Sequence, residues 1–253
     1  MHVMCKYKNC LLGPGCNNGQ FTFLTPGDKF GLEYLHNLFR FLVASGRFGF
    51  PDGKQMLRLR WSGELGRIAQ TMVMQCFRTY EHLCFYTRRY KHISINQSTR
   101  HSSVPIYAFV LDWFADWHNI TNKTAVVEKF DANRDKYVSR LTNIIWGNVQ
   151  YVGCGIVKQS HGGITLRTLL CLYGPGGNVD GAHVYTPSRT EVKLCPNGTV
   201  IDETFPSICR VLIEGHWYGN IIDLNMCGRD IVLSCDPILM FISVVCTLIR
   251  AVK

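Results

Sequence analysis

The sequence predicts an α+β sandwich, and three observations carry that reading. The first half holds segments with apolar residues at helical spacing. The second half holds two long strand-like runs around a His-Gly-Gly turn. The two kinds of element do not alternate along the chain. Of 253 residues, 47% are hydrophobic and 18% are charged, a balance that excludes a mainly disordered chain. No apolar run reaches the roughly 18 residues of an ordinary membrane-spanning helix.

The elements follow in order. Residues 28–45 read as a helix, with Asp28 as N-cap, Phe30, Leu35, Phe39, Leu42 and Val43 on one face, and Gly46 as its end. Residues 62–76 read as a second helix, capped by Ser62, with Leu65, Ile68, Ala69, Met72 and Cys76 as its apolar stripe. Residues 107–118 give a third, through Val110, Leu111, Trp113, Phe114 and Trp117, and residues 124–130 a shorter one. The period then changes. Residues 149–157 and 164–173 read as strands joined by a turn at His161-Gly162-Gly163.

The chain carries 12 cysteines with no Cys-x-x-Cys, so a four-thiolate zinc site is excluded. Wide, irregular spacing reads as a disulfide framework formed in an oxidising compartment. Cys5, Cys10 and Cys16 lie among Gly13, Pro14, Gly15 and Gly19, a stretch that needs crosslinks to be ordered. Four glycosylation sequons, at Asn96, Asn119, Asn122 and Asn197, agree with secretion to the extracellular space. No leader segment stands at the start; Met1-His-Val-Met4 runs straight into Cys5, as in a mature form or a chain whose first coding segment is missing.

Several motifs resemble one known family in order. His36-Asn37-Leu-Phe-Arg40 with Ala44-Ser45-Gly46 is similar to the first-helix signature of the CAP superfamily, which includes the cysteine-rich secretory proteins, the antigen-five venom allergens and the plant pathogenesis-related class-one proteins. Trp61 to Leu65, Ala69, Gln70 and Cys76 resemble its second helix, and Trp113-Phe-Ala-Asp116 its third. Leu141-Thr142-Asn-Ile-Ile-Trp146, followed by Val152-Gly153-Cys154-Gly155, resembles its first strand signature. Cys171-Leu-Tyr173-Gly-Pro175-Gly-Gly177-Asn178 resembles its second. The resemblance runs from residue 5 to about 209, and the N-terminal cysteines with Cys16-Asn-Asn-Gly19 look like the arthropod antigen-five branch. It implies a three-layer α-β-α sandwich and the pairings Cys5–Cys16, Cys10–Cys84 and Cys154–Cys171. The family partner for Cys76 falls at residues 24–26, where Leu24, Thr25 and Pro26 stand, so Cys76 is unpaired or pairs elsewhere. Cys195 and Cys209 make a local pair, closing a loop worth roughly 3 kcal/mol.

The resemblance also implies a cleft of two histidines and two acids that holds a divalent metal in some members. The four positions fall here at His82, Ile95, Asp116 and Arg140. An isoleucine and an arginine supply no lone pair, so no metal, cofactor or catalytic residue is expected, and Arg140 is expected to pair with Asp116. His36 reads as a hydrogen-bonded scaffold histidine and Gly174-Pro175-Gly176-Gly177 as a chain crossing near it.

Eight basic residues, Lys54, Arg58, Arg60, Arg67, Arg78, Arg88, Arg89 and Lys91, lie in one stretch that also holds Glu64 and Glu81. Net of the two glutamates the stretch carries +6, two-thirds of the chain's net charge of +9. A solvated face is the simpler reading; an anionic membrane or glycan surface is the functional one, ahead of nucleic acid.

Four segments result: a cysteine-rich N-terminal segment (1–27), the CAP domain (28–185), a C-terminal cysteine loop (186–209) and an extension (210–253) with Cys227, Cys235 and Cys246. The extension includes the apolar run Pro237–Ile249, about 20 Å long as a helix and too short to span a bilayer. The expected protein is a secreted, non-enzymatic monomer that binds a partner protein, or an apolar ligand such as a sterol or fatty acid in a groove between helices. A hydrolase using the cleft is the alternative, and Ile95 and Arg140 speak against it.

Overall fold

The computed structural model describes residues 1–7, 11–16, 18–80, 82–188 and 195–212. Cys10, Glu81, the cysteines Cys227, Cys235 and Cys246, and the run 237–249 lie outside the described residues.

The elements run α1 (Val3–Lys6), α2 (Pro26–Ala44), β1 (Gly53–Lys54), β2 (Arg60–Trp61), α3 (Gly63–Val73), β3 (Ser94–His101), α4 (Tyr107–Ala115), α5 (Lys123–Glu128), α6 (Ser139–Ile145), β4 (Tyr151–His161), β5 (Ile164–Gly174), β6 (Thr186–Pro187), β7 (Thr199–Ile201) and β8 (Cys209–Val211). β4 and β5 form an antiparallel hairpin whose two turn glycines, Gly162 and Gly163, both take positive φ. β3 adds antiparallel to β5, and β2 adds parallel to β4, giving the order β2-β4-β5-β3.

Alternation along the central strands divides the core. Val152, Cys154, Ile156, Leu169, Cys171 and Tyr173 face the layer that contains α2, α4 and α6. Val157, Leu170 and Leu172 face α3 through Leu65, Ile68, Ala69, Met72 and Val73. The result is a three-layer α-β-α sandwich.

Gly153 and Gly155 let α3 approach the sheet. A Cβ at Gly153 would lie 2.2 Å from the Gly66 nitrogen, and one at Gly155 2.4 Å from the nitrogen and Cα of Gln70. Close approach lets Gln70 act as a strand substitute. Its Oε1 accepts from the Ile156 N–H at 3.0 Å, and its Nε2 donates to the Ile156 carbonyl at 2.9 Å. These are backbone groups of β4 beyond the short reach of β2.

Several expectations need correction. Thr25, not Asp28, caps α2; Asp28 is the third helical residue and completes a reciprocal capping box. Phe30 is not on the buried face but 66% exposed, because the stripe that faces the sheet runs through Leu32, His36, Phe39, Arg40 and Val43. The segment with Leu141-Thr142-Asn143-Ile144-Ile145 is helix α6 and not a strand. Residues 94–101, for which no strand is expected, form β3.

The Cys5–Cys16 pairing is also wrong: Cys16 is bonded to Cys76, which therefore has a partner. The N-terminal loop packs on the end of α3, where the Gly13 N–H donates to the Met74 carbonyl at 2.8 Å, and this seats Cys16 beside Cys76. Cys5 and Cys84 are each in a disulfide too, and Cys10, the implied partner of Cys84, is outside the described residues. Cys154 and Cys171 are direct cross-strand neighbours and are bonded, as are Cys195 and Cys209.

Candidate functional site

The interior of α2 is polar where a core helix is usually greasy. His36, Asn37 and Arg40 all have 0% exposure. Asn37 makes a two-way amide clasp with Leu59, accepting from its N–H at 2.8 Å and donating to its carbonyl at 2.9 Å. Arg40 donates to the carbonyls of Leu57, Ile144, Trp146, Gly147 and Val149. Burial pushes its pKa down to about 9, which leaves it charged at neutral pH. The guanidinium works as a five-armed tie between two distant loops.

His36 is neutral, because burial lowers its pKa to about 4, with the Arg40 charge adding to the effect and the Leu32 hydrogen bond opposing it. Its Nδ1 lies 2.7 Å from the Leu32 carbonyl, which can only accept, so the single ring proton is on Nδ1. Nε2 then accepts from the Tyr173 hydroxyl at 2.9 Å. Tyr173 accepts in turn from Asn96 Nδ2 at 3.1 Å; Asn96 also donates to the Arg140 carbonyl and accepts from Asn143. This chain of bonds ties α2, β3, β5 and α6 together. Every proton in it has a fixed acceptor, so the network holds these four elements in place.

Asn96 is 1% exposed and both amide atoms are used, so it has no room for a glycan; the sequon there is a correction to the sequence reading. Asn119, Asn122 and Asn197 are exposed.

The other motif residues are scaffold as well. Trp113 is buried and donates to Ser98 Oγ at 3.0 Å. Thr142 donates to Asn178 Oδ1 at 2.6 Å, and Asn178 returns an N–H to the Ser139 carbonyl. Gly177, two residues past Pro175, packs so tightly on Trp146 that a Cβ would lie 2.8 Å from the indole.

The four cleft positions divide. Arg140 holds Asp116 at two points, Nε to Oδ2 at 3.2 Å and Nη2 to Oδ1 at 3.1 Å. Burial raises the Asp116 pKa, and Arg140 works against that rise. His82 is exposed, with its ring edge-on to Phe77 at 4.8 Å. Ile95 lines a separate cavity with Arg78, Thr79, Tyr80, Phe85, Tyr86 and Gln97. Among the described residues no three His, Cys, Asp or Glu side chains come close enough together to hold a metal ion. The donor set does not fit the divalent metal that the family cleft implies: one carboxylate is already engaged by a guanidinium, and Ile95 offers nothing.

The basic residues do not act as one strip. Arg58 pairs with Asp202 at 2.9 Å and lies over the Phe205 ring; Arg60 donates to the Val211 carbonyl; Arg89 stacks over Tyr151 at 4.4 Å. No helix among the described residues is long and apolar enough to cross a membrane.

Sequence reasoning missed the Tyr173–Asn96–Asn143 network and the cavity beside Ile95. Asn96 looks like a surface sequon because its neighbours Gln97 and Ser98 are polar. Only its register opposite Cys171 places it inside.

Comparison with known proteins agrees with the geometry. Residues 33–173 match the family model described as CAP, cysteine-rich secretory protein family. Venom allergen 5 of Microctonus hyperodae is 32% identical over 200 residues, covering 73% of this chain and 82% of that protein. Scoloptoxin SSD552 of Scolopendra dehaani is 30% identical over 180 residues, covering 70% and 80%. The solved structure of BmVAL-1 superposes with a TM-score of 0.58 at 24% identity, covering 75% of this chain and 97% of that one. With its helix and strand signatures accounted for by packing, the chain belongs to the CAP family of cysteine-rich secretory proteins.

Proposed function

We propose that this chain is a secreted, non-enzymatic CAP protein of the antigen-five type that acts by binding a partner protein. The observation that carries the binding half is a display of aromatic surface on α2. Phe30 and Tyr34 are 66% and 43% exposed and stack on each other, and Tyr34 continues onto Phe205 at 5.4 Å. Exposed aromatics grouped in this way are costly to leave in water and typical of recognition surfaces. The non-enzymatic half is supported by the engaged Asp116 and by the fixed protons around His36. Secretion is supported by the disulfides Cys16–Cys76, Cys154–Cys171 and Cys195–Cys209.

The test uses the secreted protein and its Phe30→Glu/Tyr34→Glu variant on extracellular material from the source tissue. Saturable binding by the native protein alone is the expected result. Equal binding by both sinks the α2 surface as the contact. Turnover of ester, peptide or glycoside substrates that disappears in Asp116→Ala overturns the non-enzymatic reading, and saturable sterol binding with no protein partner favours the apolar-ligand reading instead.

A further inference from the structure

The cavity beside Ile95 is separate from both the α2 surface and the Asp116–Arg140 pair. It is about 370 Å³, within the range of small-molecule sites. Its wall is built from the segment after α3 on one side and β3 on the other. Three features give it a chemical preference. Arg78 is exposed and has no ion-pair partner among the described residues. Tyr80 is 3% exposed, and its hydroxyl is buried with no hydrogen-bond partner among the described residues, an arrangement that costs free energy unless something accepts its proton. Gln97 adds an amide from β3.

The rest of the lining is Phe85, Tyr86 and Ile95, with the small polar Thr79, and no carboxylate lines the cavity among the described residues. Ile95 stands where the family pattern implies an acid. The change removes a group that attracts cations and leaves Arg78 as the single formal charge in the wall among the described residues.

We infer that this cavity binds a small amphipathic carboxylate, its anionic head on Arg78 within reach of Tyr80 and Gln97, and its apolar body against Phe85, Tyr86 and Ile95. A guanidinium accepts a carboxylate at two points, and the two aromatic residues supply flat surface for a ring or short chain. Burial holds the Tyr80 pKa above the usual phenol range, so the group stays a donor at neutral pH. This site does not depend on partner binding through Phe30 and Tyr34, and either can fail without the other.

The test is calorimetric titration of the full chain with 1-naphthoate and with its neutral counterpart 1-naphthalenemethanol. Naphthoate is expected to bind at least about tenfold more tightly, with an affinity that falls as salt rises. Arg78→Gln is expected to erase that preference without unfolding the protein, since Arg78 is exposed and has no ion-pair partner among the described residues. Tyr80→Phe lowers naphthoate affinity severalfold, and Ile95→Glu abolishes it by charge repulsion. Arg88→Gln, outside the cavity, leaves it unchanged. Equal affinity for the two probes, undiminished naphthoate binding by Arg78→Gln, or no saturable binding at millimolar probe each overturns the proposal.

Discussion

The Nε2 of His36 and the hydroxyl of Tyr173 lie 2.9 Å apart although 137 residues separate them in sequence. The bond joins the first long helix to the last residues of the central hairpin with both groups fully buried. Tyr173→Phe keeps the ring and removes the bridge, leaving an imidazole nitrogen without a donor and Asn96 with one acceptor fewer. The expected loss is about 1–3 kcal/mol, measured by denaturant unfolding. An unchanged midpoint would mean that water replaces the hydroxyl.

The same histidine makes stability depend on pH. Its folded pKa is about 4 against a reference near 6.5. Between those values the unfolded chain binds a proton that the folded chain refuses. The contribution is therefore fully present above about pH 6.5 and is lost as pH falls toward 4, by up to roughly 3 kcal/mol. Unfolding curves of the native protein and His36→Gln at pH 7.5, 5.5 and 4.5 isolate the effect. The gap between them should shrink as the pH drops; parallel loss in both contradicts the assignment.

Arg40→Lys keeps the charge and discards the geometry. An ammonium cannot reach the five carbonyls that the guanidinium serves, so several buried acceptors go unpaired around a buried cation. The variant is expected to lose at least about 3 kcal/mol in thermal or denaturant unfolding.

Gly155→Ala should cost more than about 3 kcal/mol, since the new methyl meets the backbone of Gln70, which is not a movable side chain. Gly31→Ala is the matched control: it lies inside α2 with nothing within 4 Å of the added carbon, and it should gain roughly 0.5–1 kcal/mol. Equal effects of the two would remove close packing as the explanation.

Peptide mapping of the secreted protein should find glycan at Asn119 or Asn122 and at Asn197, and bare Asn96. An occupied Asn96 would require β3 to sit elsewhere.

The helix α3 was legible because its apolar spacing and its Ser62 cap agree with its burial, α2 in its existence though not in its cap or its buried face, and the β4–β5 hairpin because its turn glycines and apolar runs leave little choice. β3 was not, since Ser-Ile-Asn-Gln-Ser-Thr-Arg-His has no regular alternation and is held by its neighbour. α6 misleads through Ile144 and Ile145, whose β-branched side chains favour a strand until Arg40 takes the Ile144 carbonyl. The partner of Cys16 follows from where the N-terminal loop lies on α3, which spacing does not encode. The cleft's substitutions could be read from sequence; the separation of Ile95 from the Asp116–Arg140 pair could not.

The strand order β2-β4-β5-β3 places two early strands at the edges and the late hairpin between them. During synthesis the ribosome releases both margins of the sheet before any of its centre. A nascent chain that ends before residue 144 holds α2 and α3 with no central hairpin to cover, and Arg40 with most of its carbonyl acceptors still unmade. The two edge strands therefore have no partner in this sheet until the hairpin between them has been made.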